Sequence, residues 1–144
     1  ARIVLGFLAV SYRRAALFQV ARDKVTAWMA QGEVDLDKFG QFTVSLDKPS
    51  VFLNLRHGQS FYVGPLPPMP AHRELAQAWG GELPRDCAVL PVRLKDRLVA
   101  VIYADGAKKG LGGIDLTQLQ GLAASTAAAL QRGILHKKKG EAGA

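Results

Sequence analysis

The sequence predicts an α+β domain, with a helix at each end and short strands and helices between them. Three observations carry this. Residues 87–94 and 97–105 are two runs rich in Val, Ile and Leu, separated only by Lys95-Asp96, the pattern of a β-hairpin. After Asp115, the residues Leu116, Leu119, Leu122, Ala123, Thr126, Ala127, Leu130 and Ile134 recur at helical spacing. At the other end Ile3, Val4, Phe7, Leu8 and Val10 do the same over a shorter span.

The first helix, over 3–10, is apolar nearly all round, because Leu5 and Ala9 fall between its main stripes. Gly6 weakens it by about 1 kcal/mol against Ala. A helix of this kind calls for neighbours on two sides. Residues 15–20 and 24–29 read as strands joined through Ala21-Arg22-Asp23. Alternation in the second puts Val25, Ala27 and Met29 on one face and Thr26 and Trp28 on the other. A Gln31-Gly32 turn then opens a polar loop over 33–41, and Phe42-Thr43-Val44-Ser45-Leu46 alternates as a third strand.

Asp47-Lys48-Pro49-Ser50 starts a short helix whose apolar face is Val51, Phe52 and Leu55, with Gly58 as its stop. Residues 60–63 are extended. The stretch 64–70 holds four of the seven prolines, so it forms a stiff crossing into a helix over 72–79 that Gly80-Gly81 ends. Within the strong hairpin, Pro91 demands an edge position or a bulge. A Gly/Lys loop over 107–113 follows, and Asp115 caps the last helix. Running to Lys138, that helix would be about 36 Å long. Its tail is expected to project from the body and meet a partner helix. The chain begins at Ala1 and ends in a Lys-rich stretch followed by Gly-Glu-Ala-Gly-Ala. One domain over 1–139 is expected, cut from a longer protein, with 140–144 a linker remnant or disordered tail.

This order of elements resembles the GAF domain. The residues that carry the likeness are Ala88-Val89-Leu90-Pro91-Val92, then Leu98-Val99-Ala100-Val101-Ile102-Tyr103-Ala104-Asp105, then the helix from Leu116 to Leu130. They are similar to the family's "LPL…G-x-L-x-L" hairpin and its "D…L…LA…A…AL" helix, although Asp96-Arg97 stands where a Gly is common. The resemblance covers nearly the whole chain. It implies an antiparallel sheet of about six strands, GAF/PAS-like, with the terminal helices on one face. The short helices and loops, and a small pocket, would lie on the other face. It also implies a signalling module that dimerises through the terminal helices.

Composition narrows the chemistry. A chain of 144 residues, 49% of them hydrophobic, is long enough for one core and too apolar for a disordered tail. One cysteine excludes an internal disulfide framework and a cysteine-rich zinc site. No apolar run approaches the roughly 18 residues of a membrane span, and no leader pattern is present. A cytoplasmic protein without membrane contact is expected. Enzyme motifs are absent: no P-loop, no dinucleotide fingerprint, no His-Glu-x-x-His. Gly110-Leu111-Gly112-Gly113 after Lys108-Lys109 lacks phosphate-loop spacing and reads better as a loop. His57, His72 and His136 have no ligand spacing, so no metal is expected. Cys87 reads as a small buried hydrophobe. The family's cyclic-nucleotide, bilin and sulfoxide patterns are missing, and no cofactor is expected.

What remains is a set of candidates for an unidentified small molecule: Trp28, Phe42, Tyr62, His72, Trp79 and Tyr103, with Phe61 beside them. The plainer reading is that these residues fill the core. Candidates for a homodimer interface are Phe7, Leu8, Leu116, Leu119, Leu130 and Ile134, the Leu and Ile serving either sheet or dimer. The net charge of +7 is spread over Arg13-Arg14, Lys108-Lys109 and Lys137-Lys138-Lys139, without interleaved aromatics. The expected function is therefore a non-catalytic sensory and dimerisation domain of a larger bacterial signalling protein. It would relay ligand or partner binding to other domains of its polypeptide. The alternative is a basic regulatory domain contacting nucleic acid.

Overall fold

Two tight hairpins build the centre of the sheet. The structure, a computed structural model, describes residues 2–107 and 114–143, with side chains described over 3–107 and 114–133. Strand β1 (Tyr12–Ala21) turns into β2 (Lys24–Gly32), and β5 (Cys87–Leu94) turns into β6 (Arg97–Ala107). Both turns have two residues, Arg22-Asp23 and Lys95-Asp96, all four at positive φ. That handedness matches the twist of the strands. The first connection is thus one residue tighter than Ala21-Arg22-Asp23 suggested.

With β3 (Thr43–Ser45) and β4 (Tyr62–Gly64), the strands form one six-stranded sheet in the order β3-β2-β1-β6-β5-β4. Every neighbouring pair is antiparallel. Because β4 pairs only with Cys87, Ala88 and Val89, β5 is already an edge at Pro91, which needs no donor there.

The terminal helices α1 (Arg2–Ser11) and α5 (Leu116–Gly143) cover one face, as the resemblance implies. Val4, Leu5 and Leu8 from α1, and Leu119 and Ala123 from α5, pack on Ala15, Leu17, Leu90, Ala100 and Ile102. Asp115 caps α5, its Oδ1 accepting from Gln118 N–H at 3.0 Å. The other face carries α2 (Leu36–Gly40), α3 (Val51–Arg56) and α4 (Pro70–Ala76). Ser50 caps α3 through Leu53 N–H, and Pro70 opens α4, where its missing N–H costs nothing. A 3₁₀ turn, Gln77–Trp79, extends α4 to a left-handed Gly80.

The structure departs from the sequence reading in four places. Helix α2 lies inside the expected polar loop over 33–41, nucleated by the Asp35 cap on Lys38 N–H and anchored by buried Phe39. Strand β1 begins at Tyr12, since Arg14 finds a buried partner on β6. Gln31-Gly32 pairs with Ala15 and Arg14 and continues β2 instead of turning. Most telling is a bulge. Leu17 pairs with Met29 while Phe18 pairs with Ala27, so Trp28 is the extra residue. Beyond it the side-chain alternation is reset, and Trp28 and Met29 both face the terminal helices, whereas Val25 and Ala27 face α2–α4.

Candidate functional site

On the α2–α4 face, the sheet presents an aromatic cluster with a charged pair at one end. Phe18 of β1 sits in its middle, with ring centroids 5.6 Å from Phe39, 5.6 Å from Phe42, 5.2 Å from Phe52 and 6.5 Å from Tyr103. Trp79 lies between Phe39 and Tyr103, at 5.8 and 5.4 Å, with interplanar angles of 21° to each. Such edge and stacked contacts add about 0.5–1.5 kcal/mol per pair beyond area burial.

The charged pair is Arg14 and Asp105, opposite each other on β1 and β6. Arg14 Nε donates to Asp105 Oδ1 at 2.9 Å and a second guanidinium nitrogen donates to the Trp79 carbonyl at 2.8 Å. The guanidinium carbon lies 5.5 Å from the Trp79 ring centroid, a cation–π position. The Tyr103 hydroxyl donates to the other Asp105 oxygen. Both charges are buried, Asp105 at 1% exposure. Burial pushes the Asp105 carboxyl above the usual range, opposed by the hydrogen bonds from Tyr103 and Arg14. Cys87, facing Asp105 across β5–β6, is fully buried, and burial with the nearby Asp105 and Asp86 charges raises its thiol to about 12. It remains a neutral thiol. The indole N–H of Trp79 is buried without a hydrogen-bond partner.

His72, fully buried on α4, joins two neighbouring segments. Its Nε2 accepts from Val51 N–H at 3.0 Å, at the first residue of α3, and its Nδ1 lies 2.8 Å from the Pro67 carbonyl. Together these contacts assign a neutral ring protonated at Nδ1. Burial lowers its pKa below the ordinary histidine value, against the opposing bond to Pro67.

Of the six ligand candidates, Phe42, His72, Trp79 and Tyr103 come together within this layer, and Tyr62 packs on its margin. Trp28 is on the opposite face of the sheet, where alternation from Val25 and Ala27 places it, and the bulge brings Met29 to the same face. Phe61 is 37% exposed. Phe42 also lines a groove of about 370 Å³ between α2, β3 and α4, with Lys38, Gln41, Thr43, Glu74 and Gln77.

Of the interface candidates, Leu8 and Leu119 are consumed by the chain's own core, because the sheet needs an apolar layer there. Phe7 is 49% exposed, and Leu116 and Leu130 are half-buried. The side chains of Ile134, His136 and Lys137-Lys138-Lys139 lie outside the described residues, as do Lys108-Lys109 and the 110–113 glycine stretch. Arg13 and Arg14 diverge: Arg13 pairs with exposed Glu33, and Arg14 enters the core. Among the described residues no group of His, Cys, Asp or Glu is placed to hold a metal ion. No helix among them is long and apolar enough to cross a membrane.

Sequence reasoning passed over Arg14, Asp105, Phe18, Phe39 and Phe52. The available signal was a charged residue at each end of an otherwise apolar strand pair. An antiparallel six-stranded sheet, terminal helices on one face and short helices over an aromatic layer on the other, defines a GAF/PAS-like α+β domain. No family model matches the chain, and no curated protein matches it. Solved structures do. The GAF domain/HD domain protein from Geobacter sulfurreducens superposes with a TM-score of 0.69 at 13% identity, over 90% of this chain and 89% of that one. Residues 122 to 287 of a methyl-accepting chemotaxis protein give 0.74 at 16%, over 94% and 89%. The free methionine-R-sulfoxide reductase from Neisseria meningitidis, solved with its substrate, gives 0.60 at 17%, over 90% and 78%. The chain has the GAF fold.

Proposed function

We propose that this chain is a non-catalytic GAF-fold sensory domain of a bacterial signalling protein, working in the cytoplasm as a homodimer. The terminal helices of two copies would pack together and pass a binding event on the α2–α4 face to adjoining domains. One observation carries this reading. Helix α1 rests on the sheet through Val4, Leu5 and Leu8, yet presents a second apolar stripe outward: Ile3, Phe7 and Val10, exposed by 88%, 49% and 72%. Spaced at four and three residues, they form one ridge on the same side of the sheet as α5. A contiguous apolar ridge beside a 28-residue helix fits a helix-bundle contact with a second copy.

Two features support the non-catalytic part. Cys87 is buried as a neutral thiol, and both ring nitrogens of His72 are engaged in packing contacts. The single cysteine and, among the described residues, the one buried histidine are thereby committed to structure. The unpartnered Trp79 N–H and the Arg14–Asp105 pair are polar groups a ligand or partner could engage under α4. Sedimentation equilibrium at about 50 µM tests the dimer. Dimers are expected for the parent chain and monomers for Ile3→Glu/Phe7→Glu, with circular dichroism unchanged. A parent chain that sediments as a monomer overturns the reading.

A further inference from the structure

We propose that the cleft between the two β-turns, at the far end of the sheet from Arg14 and Asp105, is a binding site for a small phosphate-bearing anion. It goes beyond the sensory reading and is independent of it. Strands β1 and β6 are antiparallel neighbours, with Gln19 opposite Ala100, so the Arg22-Asp23 and Lys95-Asp96 turns emerge side by side. Arg56, at the end of α3, closes a third side. Together they enclose about 510 Å³, with Val20, Ala21 and Leu98 also lining the walls. That volume suits a small molecule rather than a macromolecule.

The charge is unbalanced in one direction. Four cations, Arg22, Arg56, Lys95 and Arg97, line the cleft against two carboxylates, Asp23 and Asp96. Asp23 is already taken by Arg56. Among the described residues Arg22, Lys95 and Arg97 make no ion pair. Three cations, two on the turns and Arg97 at the start of β6, therefore line one open space with a single uncommitted carboxylate. Guanidinium forks and an ammonium group are the chemistry that recognises phosphate oxygens.

Backbone conformation is a second, independent observation. Arg22, Asp23, Lys95 and Asp96 hold φ of 52°, 65°, 51° and 65°. Two-residue turns of this handedness are least strained with Asn-Gly, and Arg and Lys are poor choices there. Both turns nevertheless place a long cation at the first position and Asp at the second. Strain repeated at two adjacent turns is expected where the side chains serve a purpose the turn does not need. No aromatic residue lines the cleft, so a nucleobase would find no stacking surface, and a strand of nucleic acid is disfavoured. A multiply charged, compact anion such as a diphosphate group would engage both turns at once.

The test is a titration of the ¹⁵N-labelled chain with sodium pyrophosphate at constant ionic strength, followed by amide shifts. Saturable shifts are expected at residues 20–23, 56 and 95–98. The Arg22→Asn/Lys95→Asn variant removes two cations and installs a residue that tolerates positive φ, so its melting temperature should equal or exceed the parent's. Its pyrophosphate affinity should fall about tenfold or more. Arg97→Gln, at an ordinary strand position, should fall in the same direction, and Arg73→Gln on α4 should change nothing. The proposal is overturned by any of three results: no saturation up to about 10 mM, shifts spread evenly over the basic surface, or affinity retained in both cleft variants. Binding of a DNA duplex through these residues without pyrophosphate binding would also overturn it. Dimerisation, read separately by sedimentation, does not bear on any of these outcomes.

Discussion

Replacing His72 by Phe keeps a planar ring in α4 but removes two hydrogen bonds, and the one to Val51 N–H has no substitute. Val51 N–H would lose its acceptor at the start of α3, while the half-buried Pro67 carbonyl would lose one donor and keep the other, Met69 N–H at 2.8 Å. His72 and Val51 are buried, so water does not replace the lost acceptor without opening the packing. At about 1–3 kcal/mol for the orphaned Val51 N–H and about 1 kcal/mol for the bond lost at Pro67, the variant should be about 2–4 kcal/mol less stable in urea unfolding at pH 7.5. His72→Gln, whose amide reaches one partner, should recover part of the loss.

The pH dependence has a definite sign. The folded-state pKa lies below the unfolded value of about 6.5, so the unfolded chain binds the extra proton first. The stability due to neutral His72 is fully present above about pH 6.5 and declines as pH falls below it, by up to about 1.4 kcal/mol per pH unit. The parent should lose stability over that window more steeply than His72→Phe does. A His72→Phe variant within about 0.5 kcal/mol of the parent at pH 7.5, with the same pH slope, would refute the assignment of His72 as the link between α3 and the crossing.

Other substitutions test other parts of the structure. Asp105→Ala leaves the Arg14 charge buried without a counter-ion and should cost about 3–5 kcal/mol in denaturant unfolding, whereas Arg13→Ala, breaking the exposed pair with Glu33, should cost under about 1 kcal/mol. Equal effects would mean that burial does not set the value of the two pairs. Gly32→Ala should lower the melting temperature markedly, because φ is +97° and the new methyl would fall on the Arg13 carbonyl oxygen. A neutral result would show that β2 can shift at its end without cost. Asp35→Ala, removing the cap on Lys38 N–H, should cost about 1 kcal/mol, read as faster amide exchange in α2 before the rest of the chain.

Much of the architecture was legible because its causes are local. The 87–105 hairpin, the Ser50 cap and its helix, and the Asp115 cap each depend on residues within one or two turns of chain. Helix α2 was missed because five residues with one buried anchor, Phe39, make no periodic signal. Alternation in β2 already set Trp28 on the face opposite Val25 and Ala27, and grouping it with Trp79 and Tyr103 as an aromatic went against that pattern. What the inserted residue defeats is the placement of Met29. His72 carried the mark of a pocket histidine, and no sequence pattern reveals that its two nitrogens are taken by residues 21 and 5 positions away.

The sequence by itself determined the α+β class, the two helical ends, the tight hairpins and the placement of proline and capping residues. Periodicity and turn chemistry act over a few residues and survive without knowledge of the neighbours. Only the tertiary structure decided which strands became neighbours, and everything electrostatic followed from that. Arg14 and Asp105, 91 residues apart, became a buried pair because β6 lies against β1. The same adjacency brings Arg22 beside Lys95 and gathers the unbalanced positive charge into one cleft. Charge interactions are strong only where the fold brings groups close and keeps water away, and a linear chain specifies neither until the sheet has formed.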